Sequence, residues 1–271
     1  MKTILIAAAL MLSMCAVGCA GQTPRIQPAE AGIDTDAAEA HAAFSRILST
    51  HVRDGRVDYP TLCRSGHLEA YLARLEATDP AAITDDHTRL AFWINAYNAF
   101  TLQLICENYP VKSINDLHFA GRYVGAVTKK TIWHRDFIVI NGEKLSLNDI
   151  EHEIIRPRFQ DPRAHFALVC ASKSCPALSA QAFEGPTLNS QLDEQARIFF
   201  AEPGKNHFDT KEKVAHISKI LDWYAGDFGA NDEEILLFVA RYLPDGVAAV
   251  IRRDPAGWKI KHTHYDWSLN E

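Results

Sequence analysis

Residues 146–183, SLNDIEHEIIRPRFQDPRAHFALVCASKSCPALSAQAF, gather thiols, imidazoles and carboxylates into a short span. These are the residue types that nucleophilic thiol chemistry needs: a sulfur that attacks, a base that takes its proton, and a group that orients the base. Cys170 is the candidate nucleophile. It ends an apolar run that starts at His165 and precedes Pro176, which can open a helix whose dipole would lower the thiol pKa. His165 lies five positions upstream. On a straight strand that is about 16 Å, and the odd spacing points the two side chains to opposite faces. His152, on the preceding helix, is therefore the better candidate base. Glu151 is about 100° round that helix from His152, so it is expected to meet His165 or a backbone amide. Asn95 or Asn98 could supply the orienting amide, or could bond to a neighbouring loop.

The competing use of these cysteines is structural. The chain has 271 residues and six cysteines. Ile4 to Val17 is an apolar run behind a positive Met1-Lys2 start, too short for a stable membrane-spanning helix. It ends in Ala16-Val17-Gly18-Cys19, which resembles the lipobox of bacterial lipoproteins. That resemblance implies a signal peptide over 1–18, lipidation of Cys19 and membrane attachment through it. Ala20 and Gly21, with no Asp beside the cysteine, imply the outer membrane, facing the periplasm. Residues 19–35 are small and polar and predict a flexible tether. Setting aside Cys15 and Cys19, an oxidising compartment meets four thiols: Cys63, Cys106, Cys170 and Cys175. They allow two disulfides in three pairings. An oxidised Cys170 could not act as a nucleophile.

The elements that must position these groups follow from periodicity. Residues 36–52 predict an amphipathic helix, and 65–77 a second helix. Residues 84–107, TDDHTRLAFWINAYNAFTLQLICE, predict the longest apolar helix, capped in the Thr84-Asp85-Asp86 region and buried on most sides. Asn141-Gly142 between Phe137–Ile140 and Glu143–Leu145 predicts a β-hairpin. Ser146 and Asp149 then form a capping pair, and Pro157 is expected to end the helix they start. His165–Cys170 reads as a buried strand, and Pro176–Phe183 as a possible helix. Helices are expected over 187–201 and 231–243, and strands at Lys213–Ile217 and within Trp258–Leu269. The sum is a single α+β domain over 36–271, mostly helical, with a small antiparallel sheet.

A formal charge of -6 gives no basic excess for nucleic acid. No Gly-rich phosphate loop and no Gly-x-Ser-x-Gly elbow occurs. His262 and His264 share one face of a strand and could join His152, His165 or a thiol around zinc. A solvated, lysine-flanked edge is the preferred reading, so no metal and no cofactor are expected. Trp93, Trp133, Trp223 and Tyr224 read as core rather than as a ligand cage.

LAFWINAYNAFTL, LSLNDIEHEIIR, HFALVCASKSCPAL, WYAGDF and YDWSLN, in that order, resemble the DUF547 family over roughly residues 40–270. The family is named for its lack of an assigned function. The resemblance implies a fold similar to papain-like and transglutaminase-like cysteine hydrolases. Several members outside bacteria lack a counterpart of Cys175, which implies that Cys170 is the thiol with a candidate role. The expected function is a lipid-anchored cysteine hydrolase or acyl transferase acting on an amide or ester, its peptide or envelope substrate unknown. The alternative is a non-catalytic envelope binding or scaffold module with disulfide-bonded cysteines.

Overall fold

The chain is built around one helix. In a computed structural model, which describes residues 30–117 and 131–271 with side chains from residue 41, α4 (Asp86–Asn108) is buried at every residue from Leu90 to Leu102. The Asp85 carboxylate caps it, accepting from the Thr88 amide at 2.7 Å. Three helices pack around it: α1 (Glu30–His51), α2 (Tyr59–Ser65) and α3 (His67–Ala77). Each fully buried Leu, Ile or Phe here contributes roughly 1.5–3 kcal/mol of transfer free energy. A Cys63–Cys106 disulfide, Cα atoms 5.0 Å apart, ties α2 to the end of α4. α1 starts at Glu30, inside the expected tether. The signal, the lipidation site Cys19 and the rest of the tether lie outside the described residues.

Two short ladders flank this bundle. β1 (Val52–Arg53) pairs with β2 (Arg56–Val57), and β3 (Ile138–Ile140) with β4 (Glu143–Leu145), both antiparallel. Asn141 and Gly142 hold φ of 50° and 78°, the left-handed pair that the hairpin turn requires. The next helix opens with the expected reciprocal cap. Asp149 accepts from the Ser146 amide at 2.8 Å, and Ser146 Oγ accepts from the Asp149 amide at 3.1 Å. The segment Asp149–Ile155 is a π-helix, and it runs on as a single turn, α5 (Arg156–Phe159). Pro157 therefore sits in the first turn of α5 rather than ending the helix.

A second core cluster forms where α6 (Leu188–Ala201), α7 (Ile220–Trp223), α8 (Ala225–Phe228), α9 (Asp232–Val239) and α10 (Asp245–Arg253) meet a three-stranded sheet. In that sheet β6 (Val214–Ile217) runs antiparallel to β5 (His207–Asp209). β7 (Lys259–His262) runs parallel to β6, so the sheet is mixed rather than purely antiparallel. The α+β class and the mostly helical, single-domain organisation are as the sequence predicts.

The segment that joins the clusters is the main correction. His165–Cys170 is not a strand. Pro162–Phe166 is a 3₁₀ turn, and Leu168 donates back to Ala164 at 3.0 Å before the chain becomes irregular. Phe166 enters the second cluster, its ring 5.0 Å from Phe199 and 5.1 Å from Phe200. Leu168 and Val169 enter the first, and Cys170 packs against both. Residues 176–183 are likewise irregular rather than helical.

One buried group sets an acid limit on stability. His41 is 2% exposed, its Nδ1 lies 3.2 Å from the Tyr71 hydroxyl, and its Nε2 has no partner. Burial pushes its pKa down to about 4 from 6.5. Between those values the unfolded chain binds a proton that the folded chain refuses, so stability falls as pH falls from about 6.5 to about 4. The full loss is about 3 kcal/mol. Urea denaturation at pH 7 and pH 4.5 should show this slope, and His41→Leu should flatten it. An unchanged slope in the variant would contradict the assignment.

Candidate functional site

A cavity of about 240 Å³ opens at the seam between the clusters, beside Cys170. The π-helix supplies Glu151 and His152. Its wider i→i+5 turn reduces the angle between neighbouring residues below the α-helical 100°, which lets both side chains reach one space. The 3₁₀ turn supplies His165, which a straight strand would have turned away from Cys170. α4 supplies Tyr97 from beneath, and α7 with its following residue supplies Trp223 and Tyr224. The C-terminal stretch supplies Tyr265 and Trp267.

Asn98 holds the wall that carries Cys170. Its amide donates to the Ala167 carbonyl at 2.9 Å and accepts from the Val169 amide at 2.9 Å. It serves an irregular segment as a neighbouring strand would. Asn95 makes the same pair of bonds to Phe183, at 2.8 and 2.9 Å. Both asparagines therefore bond to loops, and neither lines the cavity as an orienting group. Beyond Cys170, Ala171 takes a positive φ of 59°. The C-terminal stretch then laces the turn in place, with Lys173 donating to Ser268 at 2.8 Å and Asn270 to Ala171 at 3.2 Å.

Cys170 is bonded to Cys175, with Cα atoms 6.2 Å apart. The Tyr265 hydroxyl sits over the pair, 3.4 Å from Cys170 Sγ and 3.3 Å from Cys175 Sγ, and it accepts from Ser172 Oγ at 3.1 Å. Both pairings thus join cysteines near one another in the fold, Cys63 with Cys106 and Cys170 with Cys175.

The two imidazoles exchange the roles the sequence predicts. Arg156 reaches His152 Nδ1 at 2.8 Å. A guanidinium only donates, so Nδ1 is the acceptor and the proton sits on Nε2. His152 then has no spare lone pair, and burial, ahead of the nearby Arg156, lowers its pKa. It is poorly placed as a base. His165 Nε2 lies 2.7 Å from Asp227 Oδ2. A carboxylate accepts, so Nε2 carries a proton, and Nδ1 lies on the other side, 3.7 Å from Glu151 Oε1. This is the arrangement of an oriented base, and Asp227 does the orienting. Arg156 grips the same carboxylate with two bonds, at 2.7 and 2.9 Å. The His165 hydrogen bond first, and Arg156 second, hold the Asp227 carboxyl well below its usual range. Tyr224 stacks on His165 at 4.0 Å between centroids and fixes the ring plane.

Glu151 is buried and meets His165 rather than His152, as its helical angle suggests. Tyr97 and Tyr224 lie against it, and burial first, with this carboxylate beside it, raises both phenol pKa values far above the ordinary range. Asp227, Tyr97, Tyr265 and Trp267 are site groups that the sequence does not single out. An acid inside the aromatic run WYAGDF was the available signal for Asp227. Trp93 is core, as expected, but Trp223 is 47% exposed at the cavity rim, and Trp133 and Tyr224 also face the cavity. Among the described residues, no three His, Cys, Asp or Glu side chains are grouped to hold a metal. His262 faces Asp222 at 3.8 Å, away from the site.

Residues 81–200 match the family model described as Protein of unknown function, DUF547, as the sequence resemblance predicts. That span includes α4 and the whole run from Glu151 to Cys175. No curated protein and no solved structure matches the chain.

Proposed function

We propose that this chain is an exported protein, held at the outer membrane by a lipid on Cys19, whose domain binds a small ligand in the cavity beside Cys170. The pairing of Cys170 with Cys175 carries this reading. A disulfide sulfur has no thiolate to attack with. What remains is a concave site with aromatic walls and a few convergent polar groups, the usual make-up of a ligand pocket. Four paired cysteines also suit an oxidising compartment. The lipobox-like Ala16-Val17-Gly18-Cys19 supports the anchor, and Cys19→Ser should shift the protein from the membrane to the soluble fraction. Unchanged membrane association would remove that part of the proposal.

A second reading has its own observation. His165, oriented by Asp227, shares the cavity with Cys170. If the bond to Cys175 is absent, Cys170 could give its thiol proton to His165 and attack an amide or ester carbonyl, forming a thioester as the C–N or C–O bond breaks. The leaving group would take a proton from His165, and water would then release the acyl group. Cys175→Ser frees Cys170 without added reductant and tests this. The binding reading expects hydrolysis of p-nitrophenyl acetate by Cys175→Ser to equal that by Cys170→Ser/Cys175→Ser. A rate at least a hundredfold higher in the single variant would replace it with the hydrolase reading.

A further inference from the structure

The chemistry of the cavity walls narrows the ligand. Among the described residues lining the cavity, Glu151 is the one carboxylate and none is a Lys or Arg. Arg156, whose guanidinium reaches the cavity residue His152, is committed to Asp227 and His152. An anion therefore meets no Lys or Arg among the described lining residues, only the imidazoles of His134, His152 and His165 beside the Glu151 carboxylate. Several of the polar groups are already paired. The Tyr97 and Tyr224 hydroxyls face Glu151, Tyr265 accepts from Ser172, and His152 Nδ1 accepts from Arg156.

Asn148, Thr131 and His134 add neutral polar atoms to the wall, and two further features select for charge. One is the Glu151 carboxylate, which has more acceptor sites than two hydroxyls fill. The other is a set of aromatic rings. Trp223, Tyr265 and Trp267 lie within 4.5 to 5.7 Å of one another, centroid to centroid, and all three line the cavity. Aromatic faces beside a carboxylate attract a poorly hydrated cation and give a neutral molecule of the same shape only its apolar contact.

We propose that the ligand is a small organic cation, its ammonium group held between Glu151 and the Trp223–Tyr265–Trp267 rings. This rests on the binding reading above and names the class of ligand for it. The disulfide shapes the same site, since Cys170 and Cys175 form part of the wall against Tyr265.

Calorimetric titration of the intact oxidised protein tests it with three probes: choline, its uncharged isostere 3,3-dimethylbutan-1-ol, and indole. Choline should bind saturably and at least tenfold more tightly than the isostere. Glu151→Gln should weaken choline at least tenfold and leave the isostere unchanged. Trp267→Leu should weaken choline as well. If Glu151→Gln does not fold, the ratio of choline to isostere on the unaltered protein decides alone. Equal binding of the two would overturn the cation assignment. Saturable binding of indole or the isostere without choline would overturn it too, while leaving the binding reading standing. No saturable binding by any of the three would overturn both.

Discussion

Asn98→Ala should cost about 4 kcal/mol of stability and loosen the cavity wall. The side chain is buried and bonds to two backbone groups, the Ala167 carbonyl and the Val169 amide. Alanine would leave both without partners in a site that water does not reach. Each orphaned buried polar group costs roughly 1–3 kcal/mol. Asn95→Ala orphans the two Phe183 groups in the same way and should cost a similar amount. The two variants separate structure from site. Asn98 holds the segment ending at Cys170, whereas Phe183 does not line the cavity. Ligand affinity should therefore fall in Asn98→Ala and hold in Asn95→Ala, with stability read by guanidinium denaturation. A loss below 1 kcal/mol in Asn98→Ala would mean that the segment finds other partners.

Removing the Cys63–Cys106 bond, as Cys63→Ala/Cys106→Ala, should lower stability by about 4 kcal/mol. Removing the other, as Cys170→Ala/Cys175→Ala, should cost about 2 kcal/mol. The difference comes from the loops closed in the unfolded chain, 43 and 5 residues of separation. A longer loop takes more conformational entropy from the unfolded ensemble. The first double variant should also show a steeper denaturant dependence, because its unfolded state can expand further. The reverse ranking would show that the bond beside the cavity stabilises by something other than loop closure.

Much of the scaffold is legible in the residues. The long apolar helix expected at 84–107 is α4 at Asp86–Asn108, with its acidic cap in place. Asn141-Gly142 and the Ser146–Asp149 pair form the turn and cap they encode. Each of these signals is local, and its chemistry is complete within a few residues.

The site is less legible because its geometry depends on distant partners. FALV, residues 166–169, is a short apolar run, and periodicity does not separate a buried strand from other buried backbone. What decides it is the Asn98 side chain from α4 and a C-terminal stretch nearly a hundred residues away, which together satisfy the backbone of an irregular segment. Once that segment turns, His165 faces the cavity, and the reason for preferring His152 disappears. The π-helical turn beneath Glu151 and His152 carries no sequence signal of its own. Asp227 becomes visible as the partner of His165 only when α8 is in position.

The central claim is that Cys170 is a disulfide partner and that the cavity beside it binds rather than cuts. The direct measurement is peptide mapping of the native, unreduced protein after alkylation at neutral pH. Linked peptides for Cys63–Cys106 and Cys170–Cys175 and no alkylation at Cys170 are expected. Rapid, selective alkylation of Cys170 with Cys175 left free would contradict the claim and make His165 and Asp227 the base and orienter of a thiol enzyme.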